Sequence, residues 1–207
     1  MKITILEEEP LRVKVLLEGV ERPYANALRR LALSEVPTMA IDDIVVVENS
    51  SAFYDEILGH RLGLIPLTTP RGKYIQPSDC ECRAPLGCSR CRVLLTLDVE
   101  GREGVTTVYS RDLKSEDEEV RPYTPNIPIL VLAPGQRVKL EAYARLGRGR
   151  DHAKWQAATI SVLLPHGERD DEHILIIESA GAMRARDILL SAAEILEEKL
   201  RRVGDLE

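Results

Sequence analysis

The sequence predicts an α+β protein in which both ends of the chain form one domain and a strand-rich domain is inserted between them. Two strands and a helix are predicted at the start, and a strand and a long helix at the end. Between them lie short strands bounded by Gly and Pro, interrupted by a four-cysteine loop. We expect an antiparallel sheet plus helices from residues 1–40 and 166–207, and the inserted domain at residues 41–165.

The start of the chain reads as a hairpin followed by a helix. Ile3 and Ile5 alternate with polar residues, and apolar residues recur at every second position over residues 11–17, which predicts strands with one buried face. A helix is expected between Pro23 and Pro37, since apolar residues there fall at i, i+3, i+4 and i+7. These residues are Tyr24, Ala27, Leu28 and Leu31.

The middle of the chain is rich in β-branched and aliphatic runs typical of strands. We expect a strand at 39–48, a helix at 54–65 and a solvated acidic loop at 114–119. Further strands are predicted at 92–99, 105–110, 127–132, 137–144, 158–164 and 174–178.

The last element is the clearest helix of the sequence. From Met183 to Val203, apolar residues form a stripe wider than a lone surface helix needs, and Gly204 follows as a helix stop. The stripe contains Leu189, Ala192, Leu196, Leu200 and Val203. A stripe of this width favours packing against a partner helix.

Composition limits the function classes. The net charge is −6, which argues against nucleic acid as the main partner, because phosphate binding needs a basic surface. We find neither an apolar run of transmembrane length nor an N-terminal signal pattern, so we expect a cytoplasmic protein without a membrane partner.

All four cysteines lie within twelve positions, at Cys80, Cys82, Cys88 and Cys91. The spacing C-x-C-x5-C-x2-C lets four thiolates converge on one ion, and a site closed by four protein ligands is structural. Zinc is the expected metal. Two disulfides are an alternative, and an iron–sulfur cluster is less favoured because the ferredoxin spacing is not matched.

No recognised catalytic motif is present. The four histidines are scattered, and we find no metalloprotease, nucleophile-elbow, phosphate-loop or dinucleotide-binding pattern. Basic segments at 29–30, 60–61 and 145–154 stand out instead. Solvated surface is the ordinary role of such arginines, but three clusters on an acidic chain favour docking to a partner protein.

Four segments of the chain resemble signatures of the RNA polymerase alpha-like subunits. They are NALRRLALSEVP at 26–37, HRLGLIPL at 60–67, ARLGRGRDHAKW at 144–155 and IESAGAMRARDILL at 177–190. The cysteine loop followed by RVLLTLD at 92–98 is similar to the third-largest subunit of eukaryotic polymerase II, where such cysteines bind zinc. Bacterial members lack this loop, and the short length together with the arginine-rich, asparagine- and glutamine-poor composition typical of thermophiles points to the archaeal branch of the family.

The resemblance implies a non-catalytic assembly platform of a DNA-directed RNA polymerase, a nucleotidyltransferase only as the whole complex. The two-ended domain would be a dimerisation domain that pairs with subunit L through Leu28, Leu31, Leu189, Ala192, Leu196, Leu200 and Val203. The second-largest subunit and other core subunits would dock on family segments, and DNA would be reached only through the complex. The expected docking residues are Asn26, Arg29, Arg30, His60, Arg61, Arg148, Arg150, His152, Lys154 and Trp155.

One departure from the family pattern and one competing hypothesis remain at this point. Many archaeal members insert a ferredoxin-like iron–sulfur domain after the tryptophan segment, but here only PHGERDDEH at 165–173 occupies that place, so we expect that domain to be absent. The competing hypothesis is a free-standing zinc module that binds nucleic acid, which would show salt-dependent binding as an isolated protein.

Overall fold

The computed structural model describes residues 2–167 and 169–205 and divides into two compact units. The first unit combines Met1–Thr38 with Arg148–Glu207, and the second is continuous from Met39 to Gly147. The first unit is therefore discontinuous in sequence, and the second unit is inserted into it.

The first unit is a four-stranded antiparallel sheet with two helices. The strand order is β1-β2-β10-β9, so the two ends of the chain meet at the central β2–β10 pair. Its elements are β1 (Lys2–Glu9), β2 (Arg12–Glu18), α1 (Arg22–Ser34), β9 (Ala158–Pro165), β10 (Glu172–Ser179) and α3 (Ala185–Gly204).

Buried and exposed side chains alternate along the central strands, and the helices of this unit pack on the buried face. Val13, Val15 and Leu17 of β2 are buried, as are Leu175 and Ile177 of β10, while their neighbours in sequence face the other side of the sheet. The helices α1 and α3 pack against each other and against the sheet. The buried side chains of strands and helices form one hydrophobic core.

The second unit contains two antiparallel sheets and one helix. One sheet has the order β3-β8-β4-β6, and β5 pairs with β7 in the other. The elements are β3 (Pro37–Asn49), α2 (Asp55–Gly63), β4 (Arg92–Glu100), β5 (Thr106–Tyr109), β6 (Lys114–Ser115), β7 (Pro128–Leu132) and β8 (Arg137–Arg148). A separate core of aliphatic side chains, including Leu58 and Leu62 of α2, holds this unit together.

The second boundary of the insert differs from the prediction. We expected the insert to end at residue 165, but the first unit resumes at Arg148. The reason is strand pairing: β9 runs antiparallel to β10 along its whole length and so belongs to the first unit's sheet. Its apolar alternation predicted a strand but carried no information about which strand it pairs with.

Two smaller differences concern exposure and pairing. Tyr24, placed on the buried stripe of the first helix, is 53% exposed because the buried face of α1 is centred on Ala25, Leu28 and Ala32, and Tyr24 lies beside that face. The acidic loop at 114–119 begins with the short strand β6, which pairs with Leu95 and Thr96 of β4. Within the described residues, no helix has the length and apolarity required to span a membrane.

Candidate metal centre and partner-binding surfaces

The four predicted cysteines meet in one cluster. Their Sγ atoms all lie within 4.8 Å of one another, with separations of 3.7 Å for Cys80–Cys88, 3.7 Å for Cys82–Cys91 and 3.8 Å for Cys88–Cys91. Four sulfurs bound tetrahedrally at about 2.3 Å from zinc lie about 3.8 Å apart, whereas a disulfide brings two sulfurs to about 2.05 Å. The cluster therefore has the dimensions of a tetrahedral metal site, and the four residues are free cysteines.

Backbone geometry brings the second half of the cysteine loop together. Gly87 has a φ of +79°, and a Cβ at that position would lie 3.0 Å from Cys91 Sγ, so a side chain would be both strained and crowded there. The Cys88 N–H donates to Cys91 Sγ at 3.2 Å, and the Cys91 N–H donates back to the Cys88 carbonyl at 2.9 Å. This turn aims both thiols at the same point.

The surroundings shift the pKa values of these two thiols in opposite directions. A hydrogen bond from the Arg90 backbone N–H lowers the pKa of Cys88 to about 6, because it stabilises the thiolate. Burial raises the pKa of Cys91 to about 12, because desolvation penalises a charged sulfur. Metal binding requires thiolates, so a cation must displace the Cys91 proton, whereas the lowered pKa of Cys88 already favours its thiolate.

The predicted docking residues near 148–155 form a loop that is tied to the end of α1, and we call residues 148–155 the arginine loop. The Arg150 N–H donates to the Ser34 carbonyl at 3.0 Å, and the Thr38 hydroxyl donates to the Trp155 carbonyl at 2.8 Å. A Cβ on Gly149 would lie 2.4 Å from the Leu33 carbonyl oxygen, so only glycine allows this approach.

A buried carboxylate, Glu35, organises the arginine loop and was not predicted as a site residue. Its oxygens lie 3.6 Å from Arg148 Nη1, 3.0 Å from Arg150 Nη1 and 3.3 Å from Lys199 Nζ of α3. The Glu35 side chain is 10% exposed. Its place directly after α1, next to Val36, resembles any helix end in sequence, so no local signal indicated its burial among three cations.

The remaining loop residues form a small stacked group. Lys154 Nζ lies 4.3 Å from the centre of the Trp155 ring, and the His152 ring meets Trp155 edge-on at 6.5 Å. His152 Nδ1 accepts a hydrogen bond from the Lys154 N–H at 3.0 Å. These contacts fix the direction in which the exposed His152 points.

The predicted residues on the two shorter helices are exposed or half-buried and partly engaged within the chain. On α1, Arg29 Nε donates to Asn26 Oδ1 at 2.8 Å, whereas Arg30 is exposed. On α2, in the second unit, His60 and Arg61 are exposed. Arg61 Nη2 donates to the Pro128 carbonyl at 2.8 Å, so it also supports the fold of its own unit.

An apolar groove of about 390 Å³ lies in the first unit between the β1–β2 strands and helices α1 and α3. Ile3 and Ile5, expected on the buried face of the hairpin, are 48% and 47% exposed and line this groove. Of the predicted interface residues, Leu28, Leu189, Leu196 and Leu200 also line it.

The other predicted interface residues lie elsewhere. Leu31 and Ala192 are buried in the first unit's own core. Leu28 lines the groove but belongs to the same core and is only 4% exposed, so these three residues have almost no surface to offer a partner. Val203, near the end of α3, is 64% exposed. The wide stripe on α3 therefore divides into a buried side and an exposed side.

The middle of the chain, including nearly all of the second unit, matches a known family. Residues 40–164, more than half of the chain, match the family model described as the RNA polymerase Rpb3/RpoA insert domain. The chain belongs to this family, which confirms the resemblance to alpha-like polymerase subunits. The matched residues include the cysteine loop and run through the arginine loop into β9.

Curated relatives agree with this assignment. The chain is 45% identical over 161 residues to DNA-directed RNA polymerase subunit Rpo3 of Methanosphaera stadtmanae, covering 77% of the chain and 59% of the relative. It is 51% identical over 156 residues to Rpo3 of Thermococcus kodakarensis, covering 75% and 56%. Rpo3 of Pyrobaculum neutrophilum is 50% identical over 159 residues, covering 77% and 60%. The chain thus matches about three fifths of the length of these relatives.

Proposed function

We propose that this chain is a non-catalytic assembly subunit of a DNA-directed RNA polymerase and acts in the cytoplasm. The apolar groove carries this proposal, since a contiguous exposed apolar surface is typical of a protein-binding site. The chain belongs to a family of RNA polymerase subunits, and its relatives are named as subunits of DNA-directed RNA polymerase, which supports this proposal. Contact with DNA is indirect in this proposal, because a net charge of −6 does not suit phosphate binding.

The proposed occupant of the groove is subunit L, a smaller alpha-like chain. Leu196, Leu200 and Val203 are spaced at i, i+4 and i+7 and leave apolar surface along α3, which is the pattern that helices use to pack on one another. Burial of this surface together with Ile3 and Ile5 would remove apolar side chains of both β1 and α3 from water.

Leu200→Asp tests this pairing. A charge placed in a desolvated helix interface should weaken the heterodimer with subunit L by about 100-fold or more. Val105→Asp is the matched control, because Val105 is 75% exposed and lies in the second unit. Light scattering on co-purified chains measures both variants. A stable homodimer of the chain alone would contradict the proposal and favour a bacterial type of pairing.

The arginine loop and α1 are the proposed docking site for the second-largest subunit. Glu35 holds the loop in one shape, and the guanidinium groups of Arg30 and Arg150 reach solvent, where they suit partner carboxylates and carbonyls. The exposed His60 and Arg61 on α2 are proposed as contacts with the same large subunits.

Arg30→Ala tests the docking site. Arg30 is exposed, so the variant should fold and pair with subunit L normally, but capture of the second-largest subunit should weaken by about tenfold. Arg102→Ala, another exposed arginine but in the second unit, is the control. Pull-down with purified subunits measures the effect, and equal capture by the two variants would contradict the assigned role.

Zinc is the proposed metal of the cysteine cluster. Cys80, Cys82, Cys88 and Cys91 would supply all four ligands and leave no coordination position for substrate, so the ion would act structurally. Residues 80–91 contain few apolar side chains, and three of the four cysteines are only half-buried, so bound metal would order a segment that has little core of its own.

A further inference from the structure

The first unit's sheet ends on one side at β9, a strand without a charged side chain. Its sequence is ATISVLLP, and within the described residues it pairs with β10 alone. The opposite edge strand, β1, carries Lys2, Glu7, Glu8 and Glu9. Soluble proteins usually protect sheet edges with charges, proline or bulges. β9 has a single proline at its end, so most of its edge lacks this protection.

The outer face of β9 is an apolar strip. Ile160, Val162 and Leu164 are 41%, 39% and 43% exposed and lie at alternate positions, hence on one face. On β10, Ile176 lies opposite Val162 and Ile174 opposite Leu164, so the strip continues onto the second strand. A strand placed beside β9 would meet aliphatic side chains on this face.

The other face of the β9 edge is polar and basic. Arg22, Asn26 and Arg29 of α1 are spaced at i, i+4 and i+7, and together with Leu163 of β9 they line a cleft of about 530 Å³. Leu163 alternates with the exposed strip and so lies on the helix side of the strand. Two guanidinium groups therefore flank the open edge of β9 on one side only.

We propose that the β9 edge receives an extended, acidic segment of another protein as an additional strand of this sheet. Side chains of the added strand alternate between the two faces. Those on the outer face lie beside the apolar strip and are aliphatic; those on the inner face lie over Arg22 and Arg29 and are acidic. Main-chain hydrogen bonds to β9 supply affinity, as in other strand-addition complexes.

This inference goes beyond the proposed pairing with subunit L. The apolar groove is lined by β1, β2, α1 and α3, whereas β9 is the strand at the opposite edge of the sheet from β1. The groove and the β9 cleft share no lining residue, so failure of the pairing with subunit L leaves this proposal standing. Asn26 and Arg29 of the cleft are also among the residues predicted to dock the second-largest subunit. The test uses the chain itself with synthetic probes and does not depend on any polymerase subunit.

Two labelled peptides of 8 residues, the length of β9, provide the probes. One alternates valine with glutamate and the other alternates valine with lysine. Fluorescence anisotropy should show that the lysine peptide binds the unaltered chain at least about tenfold more weakly than the glutamate peptide. The double variant Arg22→Glu and Arg29→Glu should reverse this preference. Equal binding of both probes to the unaltered chain overturns the proposal without any variant.

Val162→Glu tests the apolar strip. It adds a negative charge to the open edge and should abolish binding of the glutamate peptide in either register, whereas Val131→Glu, at a residue that is 44% exposed on β7, should leave it unchanged. Circular dichroism verifies that both variants fold. Hydrogen exchange on the unaltered chain should show new protection at β9 amides on binding; protection at β1 instead, or unchanged binding by the Val162→Glu variant, overturns the proposal.

Discussion

At the scale of single residues, Glu35 is the side chain on which the arginine loop depends. It lies where α1 ends, and three cations converge on it from the loop and from α3. Buried carboxylates are tolerated when they are paired, and removal of the charge leaves the cations partly desolvated without compensation. The loop that carries half of the predicted docking residues is thus held by a residue with no docking role of its own.

Glu35→Gln should lower the free energy of unfolding of the first unit by about 1–3 kcal/mol. The expected value lies below that for a fully buried pair, because Arg150 and Lys199 are about half exposed and solvent screens them. Urea unfolding measures the change. Glu197→Gln, which breaks an exposed pair with Arg201 on α3, serves as the control and should change stability by about 0.5 kcal/mol or less.

Sequence reasoning worked for the cysteines and failed for Glu35 for a physical reason. Four thiols at short spacing can meet through local chain geometry alone, so their convergence follows from the sequence. Glu35 meets Arg148 across more than a hundred residues, so that contact is set by the tertiary fold and not by local sequence. Leu31 and Ala192 illustrate the same limit, because periodicity identifies an apolar face but not whether that face meets its own sheet or a partner.

At the scale of elements, the acidic loop after β6 is held by an ion cluster. Lys73 Nζ lies 2.8 Å from Asp117 Oδ2 and also pairs with Glu119, and the Tyr74 hydroxyl donates to Asp117. Hydrogen bonds from Lys73 and then Tyr74 lower the pKa of Asp117. Burial, followed by its bond to Asp117, raises the pKa of Tyr74 to about 12. A run of acids that reads as solvated surface therefore contains structural carboxylates, Asp117 and also Glu116, whose Oε1 accepts a hydrogen bond from the Leu94 N–H at 2.8 Å.

This cluster predicts a pH dependence of stability. Because folding lowers the pKa of Asp117, its ionised form stabilises the folded state; this contribution is present above the unfolded pKa of about 4 and is lost as the pH falls through the lower folded value. Asp117→Asn should therefore reduce stability at neutral pH and flatten the acid limb of the stability curve. Glu118→Gln, an exposed neighbour, is the control, and identical acid limbs for the two variants would contradict the assignment.

The helices and strands themselves were largely predictable, and their partners were not. The alternation of β2 and β10 and the periodicity of α3 appear in the structure close to the predicted bounds. Strand pairing is a long-range choice, so periodicity predicted β9 as a strand but not its pairing with β10 in the first unit's sheet. Likewise, Ile3 and Ile5 alternate as a buried strand would, but they line the apolar groove.

At the scale of the whole molecule, the division into two units separates the proposed metal from the proposed pairing surface. The cysteine loop lies in the second unit, and the apolar groove is formed entirely by the first. Each unit has its own hydrophobic core. Loss of order at the cysteines should therefore remain confined to the unit that contains them.

Cys88→Ser tests this separation. Metal analysis should find about one zinc and no iron per unaltered chain, and the variant should lose most of that zinc because a hydroxyl replaces one thiolate ligand. Hydrogen exchange at residues 80–91 should increase in the variant, while the heterodimer with subunit L should form normally. Ser89→Ala, an exposed position in the same loop, is the control. Loss of pairing by the Cys88→Ser variant would show that the units are not independent.

Trp155 is the single tryptophan of the chain, and it lies at the end of the arginine loop with Lys154 over its ring. Tryptophan fluorescence, excited at wavelengths that the six tyrosines do not absorb, consequently originates at one spot, next to the surface proposed to receive a large subunit. Spectral shifts during titration would follow events at that spot in real time, without an attached dye.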